Sequence, residues 1–222
     1  MKKIFIQILW VMAIILVAIP SYSQSQGQKE RLSPEQIQKI KGRVAERVAQ
    51  FGDYIQQIAY KYDMTNEEQM EFKKFLRQRA LDLFIGCGKG YDEIIETTQG
   101  VDTVHREGVM MEVTSLNRST TSRRLVRKYL TGLMNLSYDQ VEIKTTEWHK
   151  MRVTDLKKIT DNRFICTCYI EQEFRGYRKD GSSYRDKTRK LINCEVKLLE
   201  TEEGLEYQIS LGDVKALETT RL

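Results

Sequence analysis

The chain of 222 residues carries 36 Lys and Arg against 31 Asp and Glu, a formal charge of +5. That excess is too small for a dedicated polyanion binder, so nucleic acid is not an expected partner. Hydrophobic residues make up 41% and prolines number only 2, which suits one continuous core without a Pro-rich linker, while 2 histidines and 4 scattered cysteines make no zinc pattern, so no metal and no cofactor is expected.

Residues 1–23 read as an export signal. Met1-Lys2-Lys3 is a short basic start, residues 4–19 are apolar apart from Gln7, and Ser21 and Ser23 are small residues at the −3 and −1 positions of a cleavage site before Gln24. A spanning helix wants about 20 apolar residues, more than this run supplies, and the first cysteine is Cys87, too late for a lipid anchor. Cleavage removes Lys2 and Lys3, lowers the formal charge from +5 to +3 and leaves no membrane span. Residues 24–32 form a polar, flexible N-terminal segment, and residues 33–222 form a single α+β domain with helices in 33–135 and a sheet in 138–218.

Ser33-Pro34-Glu35-Gln36 starts the first helix with an N-cap hydroxyl, a proline at the first helical position and a reciprocal glutamine. Val44, Val48, Phe51, Ile55, Ile58 and Tyr62 then make one apolar stripe. Gly42 and Gly52 each cost about 1 kcal/mol relative to alanine, so this helix is expected to rely on packing. Thr65-Asn66-Glu67-Glu68 caps a second helix with Phe72, Phe75, Leu76, Ala80, Leu83 and Phe84 on its apolar face, ended by Gly86. Gly86-Cys87-Gly88-Lys89-Gly90 looks like a phosphate loop only at a glance: it follows a helix, and Gly90 stands where a magnesium-holding Ser or Thr is needed.

Residues 90–108 read as a long loop and 109–113 as a short extended segment. A third helix is expected over 122–133, with Leu125, Val126, Tyr129, Leu130 and Leu133 inward and Arg123, Arg124, Arg127 and Lys128 on a solvated face. From residue 138 the period changes to two. Strands are expected over 141–144, 148–153, 164–177, 184–199 and 205–211.

Lys179-Asp180-Gly181 suits a three-residue turn with glycine in the left-handed region, pairing Arg178 with Ser182 and setting Cys166 opposite Cys194. In an exported protein that pair is a candidate disulfide. A different loop would bring Cys168 opposite Cys194, and buried free thiols are the other reading. The last hairpin turns at Glu203-Gly204 and sets Tyr207, Ile209 and Leu211 against Leu198, Val196 and Cys194.

Helices followed by a meander of long strands with one apolar face resemble the NTF2-like, or cystatin-like, architecture. That resemblance implies helices packed on a curved, mainly antiparallel sheet that encloses a cone. The segments Ser115-Leu116-Asn117-Arg118, Gly176-Tyr177-Arg178-Lys179-Asp180-Gly181 and Ser210-Leu211-Gly212-Asp213-Val214 are similar to those of uncharacterised secreted proteins of Bacteroidota. In the NTF2-like fold the cone is an active site in some families and a binding cleft or scaffold in others. No catalytic motif stands out here. The expected function is that of an exported, non-catalytic binding module of the bacterial cell envelope, periplasmic or secreted, whose partner is a protein, a glycan or an anionic envelope component. Its candidate contact residues are Arg175, Tyr177, Arg178, Tyr184 and Arg185, where Tyr184 lies across the turn from Arg178 and ring and guanidinium would form a platform. The alternative is a small-molecule enzyme using the cone, with His149, oriented by Glu147, or Asp213 as its ionisable group. Asn117-Arg118-Ser119 matches a glycosylation sequon, which the bacterial resemblance leaves without use.

Overall fold

A computed structural model describes residues 32–222 apart from Gln99, Asn117 and Glu203. The expected leader, the segment before residue 32 and the sequon asparagine lie outside the described residues. Ser33–Leu222 form one compact unit. Among the described residues, no helix is long and apolar enough to cross a membrane.

Helix α1 spans Pro34–Ala59 and opens with both halves of the capping box, Ser33 Oγ accepting from the Gln36 N–H and Gln36 Oε1 accepting from the Ser33 N–H. Its stripe of Ile40, Val44, Val48, Phe51, Ile55 and Ile58 is buried. Helix α2 spans Asn66–Leu81 behind the Thr65–Glu68 capping box. Its faces differ from expectation: Phe75 is 60% exposed while Lys73 is 2% exposed. The helix docks through Leu76, Ala80 and Leu81, and Lys73, one turn before Leu76 on the same face, is buried with them. A 3-10 turn, Ile85–Gly88, follows.

The expected loop over 90–108 is instead a hairpin, β1 Tyr91–Thr97 and β2 Gly100–Arg106, paired only with each other. Acidic residues interrupt its alternation, and a ribbon standing apart from the main sheet buries too little to show a clear apolar face. Strand β3, Met110–Ser115, then pairs with β4, Arg118–Leu125. The third helix, α3, is therefore only Val126–Met134. Leu125 and Val126 are both buried, so strand and helix meet where the two periods coincide. Arg123 and Arg124 belong to the strand, and the Arg127 guanidinium donates to the Gly88 and Glu107 carbonyls at 3.1 and 3.0 Å; of the expected solvated helix face, Arg127 is pinned to neighbouring segments and Lys128 stays exposed.

Strand β5 is Gln140–Thr145. Residues 148–153, expected as a strand, form a 3-10 turn at Trp148–Lys150 and the two-residue strand β6, Arg152–Val153. Then come β7 Lys157–Thr160, β8 Arg163–Tyr177, β9 Ser183–Thr201 and β10 Gly204–Arg221. The main sheet runs β4-β3-β10-β9-β8-β5, with β6 and β7 also on β8; among its described strand pairs only β3/β10 is parallel, and Phe84 adds an isolated parallel bridge to Leu211. Gly181 takes φ +81°, Arg178 donates its N–H to Ser182, and Cys166 faces Cys194, the expected register. Tyr207, Ile209 and Leu211 pair with Leu198, Val196 and Cys194, also as expected. Strand β10 runs ten residues past its expected end by bulging between Leu211 and Val214 and again between Ala216 and Glu218.

One face of β8, β9 and β10 is buried through Phe164, Cys166, Cys168, Ile170, Ile192, Cys194, Val196, Ile209, Leu211 and Val214. Helix α1 touches β5, β6, β8 and β10, so the sheet curves about it. The fold is thus α+β, helices packed on a curved, mainly antiparallel sheet. Phe51 and Phe84 meet edge to face at 4.8 Å at the centre of the filling, a contact that adds about 1 kcal/mol to area burial.

Candidate functional site

Alternation along β8 and β9 decides which of the candidate hairpin residues meet. Arg175, Tyr177 and Arg185 share the outer face, where Arg175 stands opposite Arg185 and the Arg185 guanidinium lies 5.7 Å from the Tyr177 ring centre. Tyr184 pairs with Gly176 and points to the other face, so the expected platform with Arg178 does not form. Arg178 instead covers the Tyr138 ring at 5.4 Å. Glu171 binds Lys187 at 2.7 Å and Arg189 at 3.2 Å, Glu173 binds Arg175 at 3.3 Å, and Arg189 reaches Glu218 at 3.5 Å. These hydrogen bonds hold the Glu171 carboxyl below its usual range. Much of the basic charge on the hairpin is therefore answered in place.

On the inner face a polar set occupies the end of the sheet nearest the hairpin. The Tyr184 hydroxyl donates to Asp186 at 2.5 Å, lies 2.9 Å from Ser115 Oγ and accepts the Leu116 N–H at 2.9 Å. Lys190 donates to Gln172 Oε1 at 2.5 Å and its ammonium sits 5.9 Å from the Tyr129 ring centre. Thr188 and Thr114 both bond Thr219. Burial pushes Asp186 up and Lys190 down to about 8, each tempered by the other's charge. Burial likewise raises the Tyr129 hydroxyl. Each of these side chains is held by another, and none of them lines the grooves described below.

The residues of the enzyme alternative stand apart. His149 Nε2 is 3.2 Å from Glu147 Oε2, but both side chains are more than half exposed and Lys150 binds the same oxygen at 2.7 Å. Asp213 sits in the first β10 bulge, where one oxygen accepts the Met110 N–H at 2.8 Å and the other meets Arg123 at 3.1 Å. It clamps β10 to β3 and β4.

Cys166 and Cys194 face each other unbridged, Cys168 lies 3.9 Å from the Met151 sulfur, and Cys87 is exposed. Burial pushes the Cys168 thiol up to about 12; the Cys194 thiol and then Lys41 lower that of Cys166, while Cys194 itself is raised. Among the described residues, no three His, Cys, Asp or Glu side chains converge as metal ligands.

The concave surfaces lie elsewhere, around Trp148. Gly42, Ala45, Ala49 and Gly52 form a small-residue stripe along α1, and the segment from Thr145 to Met151 lies against it. This leaves Trp148 on the surface, 49% exposed, its ring edge to face with His149 at 5.8 Å. Three open grooves of about 760, 510 and 480 Å³ share it. The largest is walled by α1 through Arg43, Glu46, Arg47, Gln50 and Asp53, and by β10 through Tyr207, Gln208 and Ile209. Arg47 donates to Gln50 at 3.4 Å and to the Asp82 carbonyl at 3.3 Å, and burial lowers its guanidinium from the ordinary value. Trp148 stands in a 3-10 turn where a strand is expected; the signal in the sequence that points to the site is the run of small residues on one face of α1, whose Gly52 admits Thr145 in close approach.

No protein-family model matches the chain. No curated protein matches it. Among solved structures, a candidate scytalone dehydratase of Novosphingobium aromaticivorans is 8% identical with a TM-score of 0.40, over 85% of this chain and 91% of that one. The Kfla4162 protein of Kribbella flavida is 16% identical with a TM-score of 0.35, over 79% of this chain and 91% of that one. At such values the architecture rests on the sheet and helices themselves.

Proposed function

We propose that the protein is an exported, non-catalytic binding module of the bacterial cell envelope, periplasmic or secreted, whose contact surface is the set of grooves around Trp148. One contrast carries the reading. The polar groups inside the curved sheet hold one another, whereas the largest aromatic side chain of the domain stands half in water where three grooves meet. An exposed tryptophan in a concavity is the kind of anchor on which binding energy concentrates. The export part of the proposal draws on the basic, apolar and small-residue order of residues 1–23. Arg175, Tyr177 and Arg185 on the outer face of the hairpin are a smaller candidate surface for the same kind of role.

The enzyme reading draws on the His149–Glu147 contact, which borders two of the grooves. Both groups are open to solvent there, and the dry, preorganised surroundings that strengthen catalytic electrostatics are missing.

The test is expression of the whole chain in a bacterial host, followed by N-terminal sequencing of the soluble envelope fraction and capture of bound molecules with the natural chain and Trp148→Ala. The expected results are a chain beginning at Gln24 and captured molecules that the variant loses. A full-length cytoplasmic chain would refute export, and identical capture by a folded variant would refute the Trp148 surface.

A further inference from the structure

We propose that the groove between α1 and β10 binds an uncharged saccharide chain, with one sugar ring stacked on Trp148. The inference rests on the reading of the Trp148 grooves as the contact surface and names the ligand class.

Three observations point to it. The indole is half-exposed, and its N–H makes no hydrogen bond among the described residues, so it offers a flat apolar face together with one free donor. A sugar ring has the complementary form, an apolar C–H face rimmed by hydroxyls. The walls are polar but electrically balanced: Arg43 and Arg47 are matched by Glu46 and Asp53. A polyanion or polycation would find both attraction and repulsion there, whereas a neutral ligand meets no charge repulsion. The side chains of Arg43, Glu46, Asp53 and Gln208 have no partner within the described chain. Each is planar and presents paired donors or acceptors, a geometry suited to neighbouring hydroxyls.

Shape argues for a chain over a single small molecule. The groove of about 760 Å³ is open, and it runs on at Trp148 into two others of about 510 and 480 Å³. A pocket for a small metabolite closes over most of its ligand's surface. Here one ring can sit on the indole while the chain continues to either side.

The experiment uses the chain beginning at Gln24, in which Trp148 is the sole tryptophan because Trp10 lies in the leader; its fluorescence therefore reports the grooves that meet at Trp148, and Gln208, which lines only the α1/β10 groove, tells that one from the other two. A panel of neutral gluco-, manno-, xylo- and chito-oligosaccharides is titrated beside a sulfated glycan and a polyuronate, with calorimetry in parallel. A saturable fluorescence change is expected with at least one neutral oligosaccharide, little altered when salt rises from about 0.05 to about 0.5 M. Trp148→Ala and Gln208→Ala should each bind it about tenfold or more weakly by calorimetry, and Trp148→Phe, which keeps an aromatic face, should retain most of the affinity. Circular dichroism checks that each variant folds. No binding of any neutral member at millimolar concentration overturns the saccharide assignment. If a polyanion or a protein then proves to bind through Trp148, the groove reading stands without it. If no ligand or captured molecule depends on Trp148, both fall.

Discussion

Gly52 of α1 faces Thr145 at the end of β5 so closely that a Cβ at position 52 would come within 2.7 Å of the threonine hydroxyl oxygen. Gly42, nearly three turns earlier on the same stripe, has nothing within 4 Å of the corresponding point. Opposite outcomes are expected. Gly52→Ala should destabilise by about 1–3 kcal/mol, because overpacking outweighs the gain in helix propensity. Gly42→Ala should stabilise by up to about 1 kcal/mol. Urea unfolding of the two variants measures both, and stabilisation by each would mean that β5 does not press on α1.

Asp213 joins three strands, since its two oxygens take the Met110 N–H and the Arg123 guanidinium from the β10 bulge. Asp213→Ala strands a backbone donor and should cost about 1–3 kcal/mol. Asp213→Asn keeps an oxygen for the Met110 N–H and should lose less. Thermal unfolding orders the two variants; equal losses would show that the Met110 contact contributes little.

Lys190 carries a pH signature. Its folded pKa is lowered to about 8 from 10.5, burial being the main cause. Between those values the unfolded chain binds more protons, so stability rises with pH through the window and the cost of the buried charge is fully present below about 8. Lys73, also lowered to about 8 by burial and by Lys61, adds a second contribution of the same sign. Lys190→Met should reduce the rise by up to about 1.4 kcal/mol per pH unit between pH 8.5 and 9.5. An unchanged slope in denaturant titrations would show that the ammonium is not buried in solution.

The ladder phase bears on the cysteines. Arg178 donates to Ser182 at one end of the β8/β9 pair and Leu198 donates to Asn162 at the other, so every second pair is hydrogen-bonded, and Cys166 with Cys194 is one of them. Such pairs keep their side chains farther apart than the non-hydrogen-bonded pairs between them, while a bridge needs Cβ atoms about 3.5–4.5 Å apart. The expected result is four titratable thiols in protein unfolded without reductant. Two thiols would show that the strands shift to bridge this pair.

Much of the architecture was legible along the chain, and for identifiable reasons. Ser33 and Thr65 announce their helices by local hydrogen bonds that need no tertiary partner. Lys179-Asp180-Gly181 and Glu203-Gly204 constrain two hairpins, and from each turn the period of two carries the register as far as Cys166, Cys194 and Leu211. The misreadings fall where burial is partial or two-sided: the β1/β2 hairpin, which lies outside the main sheet, and the β4-to-α3 junction, where Leu125 and Val126 are both inside.

What the sequence by itself determined is what local chemistry governs: the caps, the turns, the register of the long strands, and hence which face of the sheet is apolar. Only the tertiary structure decided which surface is concave. Tyr184 faces inward because alternation along β9 and the hydroxyl's partners Asp186, Ser115 and Leu116 hold it there. Trp148 remained half in water because residues far apart in the chain, the small stripe of α1 and the Tyr207–Ile209 edge of β10, meet around it. Concavity is a property of distant segments brought together, and no local pattern along one of them encodes it.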